Sequence, residues 1–222
     1  MYMTTLNVIA NKAKRFYFNF EDWIFEKKYG FDFSGILYRH QLIDGHSESL
    51  LHATAYHAVW CSNLRKIHSK LKKRGYSFDV FVDIGSGKGK ACIYADLNKF
   101  CKESIGVEFS ENLVKIADIN KERSGSERVT FINCDALEYR LPPKDCLIFM
   151  FNPFDGVILE KFILNNIQHF KQFNSVLAYA NDIQRHTLIN LNFSEIYRHN
   201  SRNLSIYSCE KVSPKFPNKN YE

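Results

Sequence analysis

Residues 79–90 read DVFVDIGSGKGK. DVFVDIG is a continuous apolar run rather than an alternating one, the pattern of a strand covered on both faces. It runs straight into Gly85, Gly87 and Gly89, and a helix is predicted to follow over about 88–98. Glycines at such a turn let the backbone reverse sharply and approach a ligand closely. Outward from the turn the same rhythm continues. SIGVEF (104–109), a helix over 110–123 capped by Ser110, VTFINCD (129–135), CLIFMFN (146–152), a helix containing Ile158, Leu159, Phe162, Ile163 and Ile167, and SVLAYAN (175–181) follow in turn. Strand–helix alternation predicts right-handed crossovers and an open, doubly wound α/β sheet, mostly parallel. The last two strands, near 193–199 and 204–210, follow only a short helical segment. They predict a C-terminal antiparallel hairpin at one sheet edge.

Upstream, residues 1–35 are rich in aromatics and mixed charge (RFYFNFEDWIFEKKYGFDFSG), and a helix is predicted to end near Gly30. A second helix is predicted to start at Thr54, a good N-cap, and to carry Trp60, Leu64, Ile67 and Leu71 at helical spacing as far as Gly75. Arg65, Lys66, Lys70, Lys72, Lys73 and Arg74 near its end suit the helix dipole and read as a solvated face. The chain thus divides into a helical extension or lid (1–53), a ligand-binding domain (54–211) and a polar, loose tail (212–222). At 222 residues with 45% apolar and 24% charged residues it can bury a sizeable core, which excludes fibrous and disordered classes. A net charge of +6 falls short of a dedicated nucleic-acid binder. No apolar run approaches the roughly 18 residues of a membrane span, and the start lacks a signal-peptide core. The six cysteines are scattered without CxxC spacing, so a cytoplasmic protein with reduced thiols and no metal site is expected.

The charge at the glycine turn selects its ligand. Dinucleotide sites seat a pyrophosphate there, and a carboxylate a few Å away would repel it by about 1–4 kcal/mol even when screened. Asp83 stands two residues before Gly85, and the spacing is GxGxG rather than GxGxxG or the P-loop pattern. An acidic residue suits a cationic ligand instead. S-adenosylmethionine carries a sulfonium and an α-ammonium and no phosphate, and Asp83 can accept from that ammonium. Glu108, ending the next strand, can hold both hydroxyls of a ribose, as the dinucleotide fingerprint also does. Asp135 is placed to accept from an adenine amine, with the Ala136 N–H meeting a ring nitrogen.

DIGSGKG, VEFS and NCDA resemble the first three cofactor motifs of the class I S-adenosylmethionine-dependent methyltransferases. The resemblance covers about 79–210 and implies the Rossmann-like sheet with its terminal antiparallel hairpin. The N-terminal part is similar to the lead-in of small bacterial members, in which the segment matching Thr54 and Tyr56 closes over the cofactor. FMFNPF (149–154) resembles the (D/N)PP(Y/F) motif of amino-group methyltransferases. The resemblance implies that Asn152 and the Pro153 carbonyl accept from the target amine while Phe154 stacks on it; only one proline is present. Such acceptors aim the nitrogen lone pair along the methyl–sulfur axis. The expected function is N-methylation of an amine on a protein side chain or small molecule. A nicotinamide-dependent oxidoreductase and a noncatalytic cofactor- or RNA-binding module are the alternatives, with nucleic acid not favoured as partner. Neither the acceptor nor the oligomeric state is legible.

Overall fold

The computed structural model describes residues 2–38, 41 and 48–209, the side chains of 2–11, 48 and 49 excepted. The predicted tail (212–222) and His46 lie outside these residues. Seven strands form one sheet: β1 (Val80–Ile84), β2 (Glu103–Glu108), β3 (Val129–Asn133), β4 (Cys146–Met150), β5 (Val176–Ala180), β6 (Phe193–His199) and β7 (Leu204–Cys209). Their order is β3-β2-β1-β4-β5-β7-β6. The first five run parallel, and β7 lies antiparallel between β5 and β6. This is the expected Rossmann-like sheet with its antiparallel C-terminal pair. Every residue of β1, β4 and β5 is buried, which is why their sequences read as unbroken apolar runs.

The helices are α1 (Tyr2–Tyr29), α2 (Glu48–His52), α3 (Cys61–Lys72), α4 (Lys90–Leu97), α5 (Glu111–Ser124), α6 (Gly156–Asn165), α7 (Ile167–Gln172) and α8 (Arg185–Asn190). Val80, Val82 and Ile84 pack with Ile158, Phe162, Phe170 and Leu188 from α6, α7 and α8. Phe81 and Phe149 face the other way, onto Leu64 and Ile67 of α3 and Ala91 and Ala95 of α4. Ser110 caps α5 as expected, its side chain accepting from the Leu113 N–H, and Gly125 closes that helix in the left-handed conformation (φ +67°). No described helix is long and apolar enough to cross a membrane.

The helix predicted from Thr54 begins instead at Cys61. Its first N–H is satisfied from outside, by the Asp22 carboxylate of α1 (2.9 Å). Residues 53–60 are extended, because Thr54 spends both its N–H and its hydroxyl on the loop after β4. The N-terminal extension is docked, not loose. Asn120, completely buried in α5, accepts from the Asp32 N–H and donates to the Asp32 and Lys88 carbonyls. Phe25, Phe31 and Phe33 form an aromatic cluster against Ile93.

A buried pair below the sheet predicts an acid sensitivity. The Cys146 N–H donates to Ser175 Oγ (2.8 Å), which sits 2.8 Å from His169 Nε2. Burial holds the His169 imidazole down, to about 4. Between about pH 6.5 and that value the unfolded chain binds the extra proton, so stability falls as pH falls. Urea midpoints at about pH 7 and about pH 4.5 should differ less in His169→Gln than in the parent; equal slopes would remove His169 from the acid response.

Candidate active site

The sheet order reverses between β1 and β4, and in open α/β sheets ligands bind beyond the strand ends at that point. The glycine turn sits there. The Gly85 and Ser86 N–H groups both donate to the Val107 carbonyl (2.8 and 3.0 Å), tying the turn to β2. Gly85, Gly87 and Gly89 all have positive φ (+75°, +54° and +85°). Each is also held by a close neighbour. An added Cβ would stand 2.4 Å from Pro153 Cβ at Gly85, 2.3 Å from Tyr56 Cε2 at Gly87 and 2.4 Å from Phe131 Cζ at Gly89. The glycines are therefore demanded twice, by conformation and by space.

Glu108 ends β2 beneath the turn and is buried. Its carboxylate accepts from the Gly87 N–H (2.9 Å) and the Ser110 N–H (3.0 Å). Burial pushes its carboxyl up, and those backbone N–H groups oppose the shift. Asp83, also buried, is the penultimate residue of β1 and lines a small cavity with Gly85, Tyr56, His57 and Lys90. Burial first, and the Glu108 charge second, hold the Asp83 carboxyl well above the usual carboxylate range. Two desolvated carboxyl groups beside a glycine turn form a site of marked preference for a cation.

The adjoining cavity is lined by Thr54, Tyr56, Gly85, Glu108, Ala136 and Phe154, among others. It measures about 70 Å³, less than a nucleoside occupies, because residues 53–57 lie across it as a strap. The Thr54 N–H donates to the Pro153 carbonyl (3.0 Å) and Thr54 Oγ1 to the Asn152 carbonyl (2.5 Å). The Tyr56 hydroxyl donates to the Phe33 carbonyl (2.8 Å).

Of the residues singled out from sequence, Asp83, Gly85, Glu108, Ala136, Thr54, Tyr56, Pro153 and Phe154 face these two cavities. Gly87 is covered by Tyr56, and Gly89 begins α4 behind the turn. Asp135 does not line either cavity; its Oδ1 accepts from the Leu137 N–H (2.9 Å), closing a turn. Asn152 lies one residue behind the lining with φ +47°, and its Oδ1 accepts from the Tyr179 hydroxyl (2.7 Å). Lys88, within the turn, is buried and donates to Asp32 (2.7 Å) and to the Ser34 carbonyl (2.8 Å). His57, read from its spacing as an ordinary residue, lines both cavities. Its proximity to Tyr56 on one strap was the signal available.

Fold and site together define an α/β protein with a doubly wound sheet and a glycine turn at the point where the strand order reverses. The family described as Methyltransferase domain matches residues 77–215, more than half of the chain. The chain belongs to that family and, with this sheet, to the class I S-adenosylmethionine-dependent methyltransferases. Among solved structures it is similar to the M1A22 tRNA methyltransferase TrmK of B. subtilis, at 16% identity and TM-score 0.52, covering 67% of this chain and 66% of that one. It is also similar to an S-adenosylmethionine-dependent O-methyltransferase of Thermotoga maritima, at 17% identity and TM-score 0.51, covering 69% and 67%. A ribosomal protein L11 methylase of Lactobacillus delbrueckii matches at 14% identity and TM-score 0.50, covering 68% and 78%. At such identities the likeness is one of fold. No match is found among curated proteins.

The residues present fit S-adenosylmethionine in chemistry. The buried Glu108 carboxylate suits ribose hydroxyls, and the glycine turn contributes no side chain of its own at Gly85 and Gly87. Asp83, when ionised, would supply the counter-charge for an ammonium.

Proposed function

We propose that this protein methylates an amine nitrogen on a protein side chain or small molecule, with the acceptor held at Asn152, Pro153 and Phe154. The supporting observation is the 3.0 Å bond from the Thr54 N–H to the Pro153 carbonyl. An N–H donor from the strap already occupies the place the target's N–H would take. Lifting the strap vacates it and widens the cavity in the same movement. S-adenosylmethionine supplies an electrophilic methyl: the amine lone pair forms the C–N bond as the C–S bond breaks, sulfur keeps the electron pair as S-adenosylhomocysteine, and the amine's proton leaves to solvent. The chain's task is to orient the nitrogen and exclude water. Tyr179, fully buried in β5, orients Asn152 through the hydroxyl bond above. Asp83 holds the cofactor's ammonium, Glu108 the ribose, and Asp135 with Ala136 the adenine edge. Residues 1–53 serve as a lid extension on the domain that starts at 54, in a cytoplasmic enzyme.

The test uses labelled methyl from S-adenosylmethionine, transferred into a cell lysate and fractionated into protein, nucleic acid and small molecules. Label should enter protein or small amines. Asn152→Ala should cut transfer by about tenfold or more while leaving S-adenosylhomocysteine affinity within about twofold. Tyr179→Phe should act in the same direction more weakly. Transfer unchanged in both variants would remove the positioning role.

A further inference from the structure

A second, larger cleft of about 720 Å³ opens between α1 and the ends of β4, β5 and β7. His57 and Phe151 line both this cleft and the cofactor cavity, so the two meet at the strap. Its walls include Trp23, Glu26, Trp60, Lys90, Asn181 and Arg202. We propose that this cleft binds the acceptor beyond its reacting nitrogen, that it takes a cationic amine, and that Glu26 with Trp23 and Trp60 recognises an ammonium group other than the nitrogen that Asn152 and Pro153 position. The inference rests on the amine-methylating reading and names its binding surface.

The charge arrangement carries the argument. Lys90, buried at the start of α4, places its ammonium 2.8 Å from Asp22 and 3.7 Å from Glu26, so one cation faces two carboxylates. Asp22 is spent: one oxygen meets Lys90 and the other accepts from the Cys61 N–H (2.9 Å). Glu26 keeps only the longer ionic contact, on the cleft wall. Burial raises its carboxyl, Lys90 opposes this, and Asp22 and Asp32 add to it. The inner wall therefore sets two carboxyl groups against one ammonium, an arrangement that favours a further cation and disfavours a phosphate backbone. Arg202 stands on another wall, where its guanidinium lies over the Phe18 ring (4.4 Å) and donates to Asn63 Oδ1 (3.0 Å). Trp23, half-exposed, and Trp60, partly buried against Phe18, supply aromatic surface of the kind that attracts ammonium groups.

The protein has two tryptophans in all, and both line this cleft, so intrinsic tryptophan emission reports on it. The experiment titrates protein saturated with S-adenosylhomocysteine, confirmed by calorimetry, with n-butylammonium chloride, n-butanol or oligouridylate. The ammonium should change the emission saturably, and n-butanol should act about tenfold more weakly or not at all. Glu26→Gln should weaken the ammonium response by about tenfold while S-adenosylhomocysteine affinity stays unchanged. Should that variant fail to fold, Trp23→Ala at its half-exposed position carries the test through Trp60 emission, with the same loss expected. An equal response to ammonium and alcohol, no response to either, a response indifferent to both substitutions, or salt-sensitive binding of oligouridylate would overturn the proposal while leaving the cofactor site standing. Failure of S-adenosylhomocysteine to bind would instead overturn the methyltransferase reading, and this inference with it.

Discussion

Gly87→Ala should lose cofactor binding almost completely. Two costs combine at this residue. Its φ of +54° is one that an alanine adopts only with strain, of about 1 kcal/mol. The new Cβ would also sit 2.3 Å from the Tyr56 ring, against which nothing relaxes without moving the strap. Tyr56 is itself pinned through its hydroxyl to Phe33 and through its N–H to the Leu37 carbonyl (2.8 Å). The Gly87 N–H that Glu108 accepts would shift with the turn, disturbing the ribose carboxylate as well. We expect a fall in S-adenosylhomocysteine affinity of more than about a hundredfold, or roughly 2.7 kcal/mol, together with a lower melting temperature. Calorimetry and a thermal melt check both. Binding within about threefold of the parent would show that the turn is not the ligand's seat.

Asp83→Asn should pull stability and binding in opposite directions. The folded protein holds the Asp83 carboxyl well above its ordinary range, so the charged form is disfavoured in the fold. The native state then binds a proton that the unfolded chain has released, and stability falls as pH rises from about 4 toward the raised value. An amide removes that loss, so the unliganded variant should melt at or above the parent's temperature at neutral pH. A cation bound beside the ionised carboxylate compensates the buried charge, and the amide cannot. S-adenosylmethionine affinity should therefore fall by more than tenfold, about 1.4 kcal/mol. A variant that is both less stable and equally able to bind would mean that Asp83 serves the fold and not the ligand.

Much of the architecture was legible because the sheet's centre is buried on both faces. Such strands cannot hide among alternating patterns, and β1, β4 and β5 stand out as apolar runs. The cofactor residues were legible for a related reason. Strand ends in a parallel sheet point to one edge, so Asp83, Gly85 and Glu108 came together as soon as the strands were in register. What stayed hidden depends on pairs far apart in sequence. Thr54 looked like an N-cap, but its partners are the Asn152 and Pro153 carbonyls. The helix's real start is capped by Asp22, an acceptor thirty-nine residues away that no local pattern announces. No local pattern announces the burial of Lys88, which follows from Asp32 and Ser34 folding over it. Asp135 looked like a ligand group by analogy with the two acids before it. Its Oδ1 accepts from the Leu137 N–H, a turn bond that any aspartate after a strand can make, so the sequence alone does not separate the two roles. The second cleft was invisible for the same reason as the strap, since α1 makes one wall and the strand ends make the other.

The measurement that bears most directly on the central claim is a calorimetric titration of the unmodified protein with S-adenosylhomocysteine and, separately, with NAD. One saturable site for S-adenosylhomocysteine and no heat from NAD is the predicted result. Saturable binding of NAD with silence from S-adenosylhomocysteine would mean that the turn at Gly85 accepts a diphosphate after all, and that the charge assigned to Asp83 was misread.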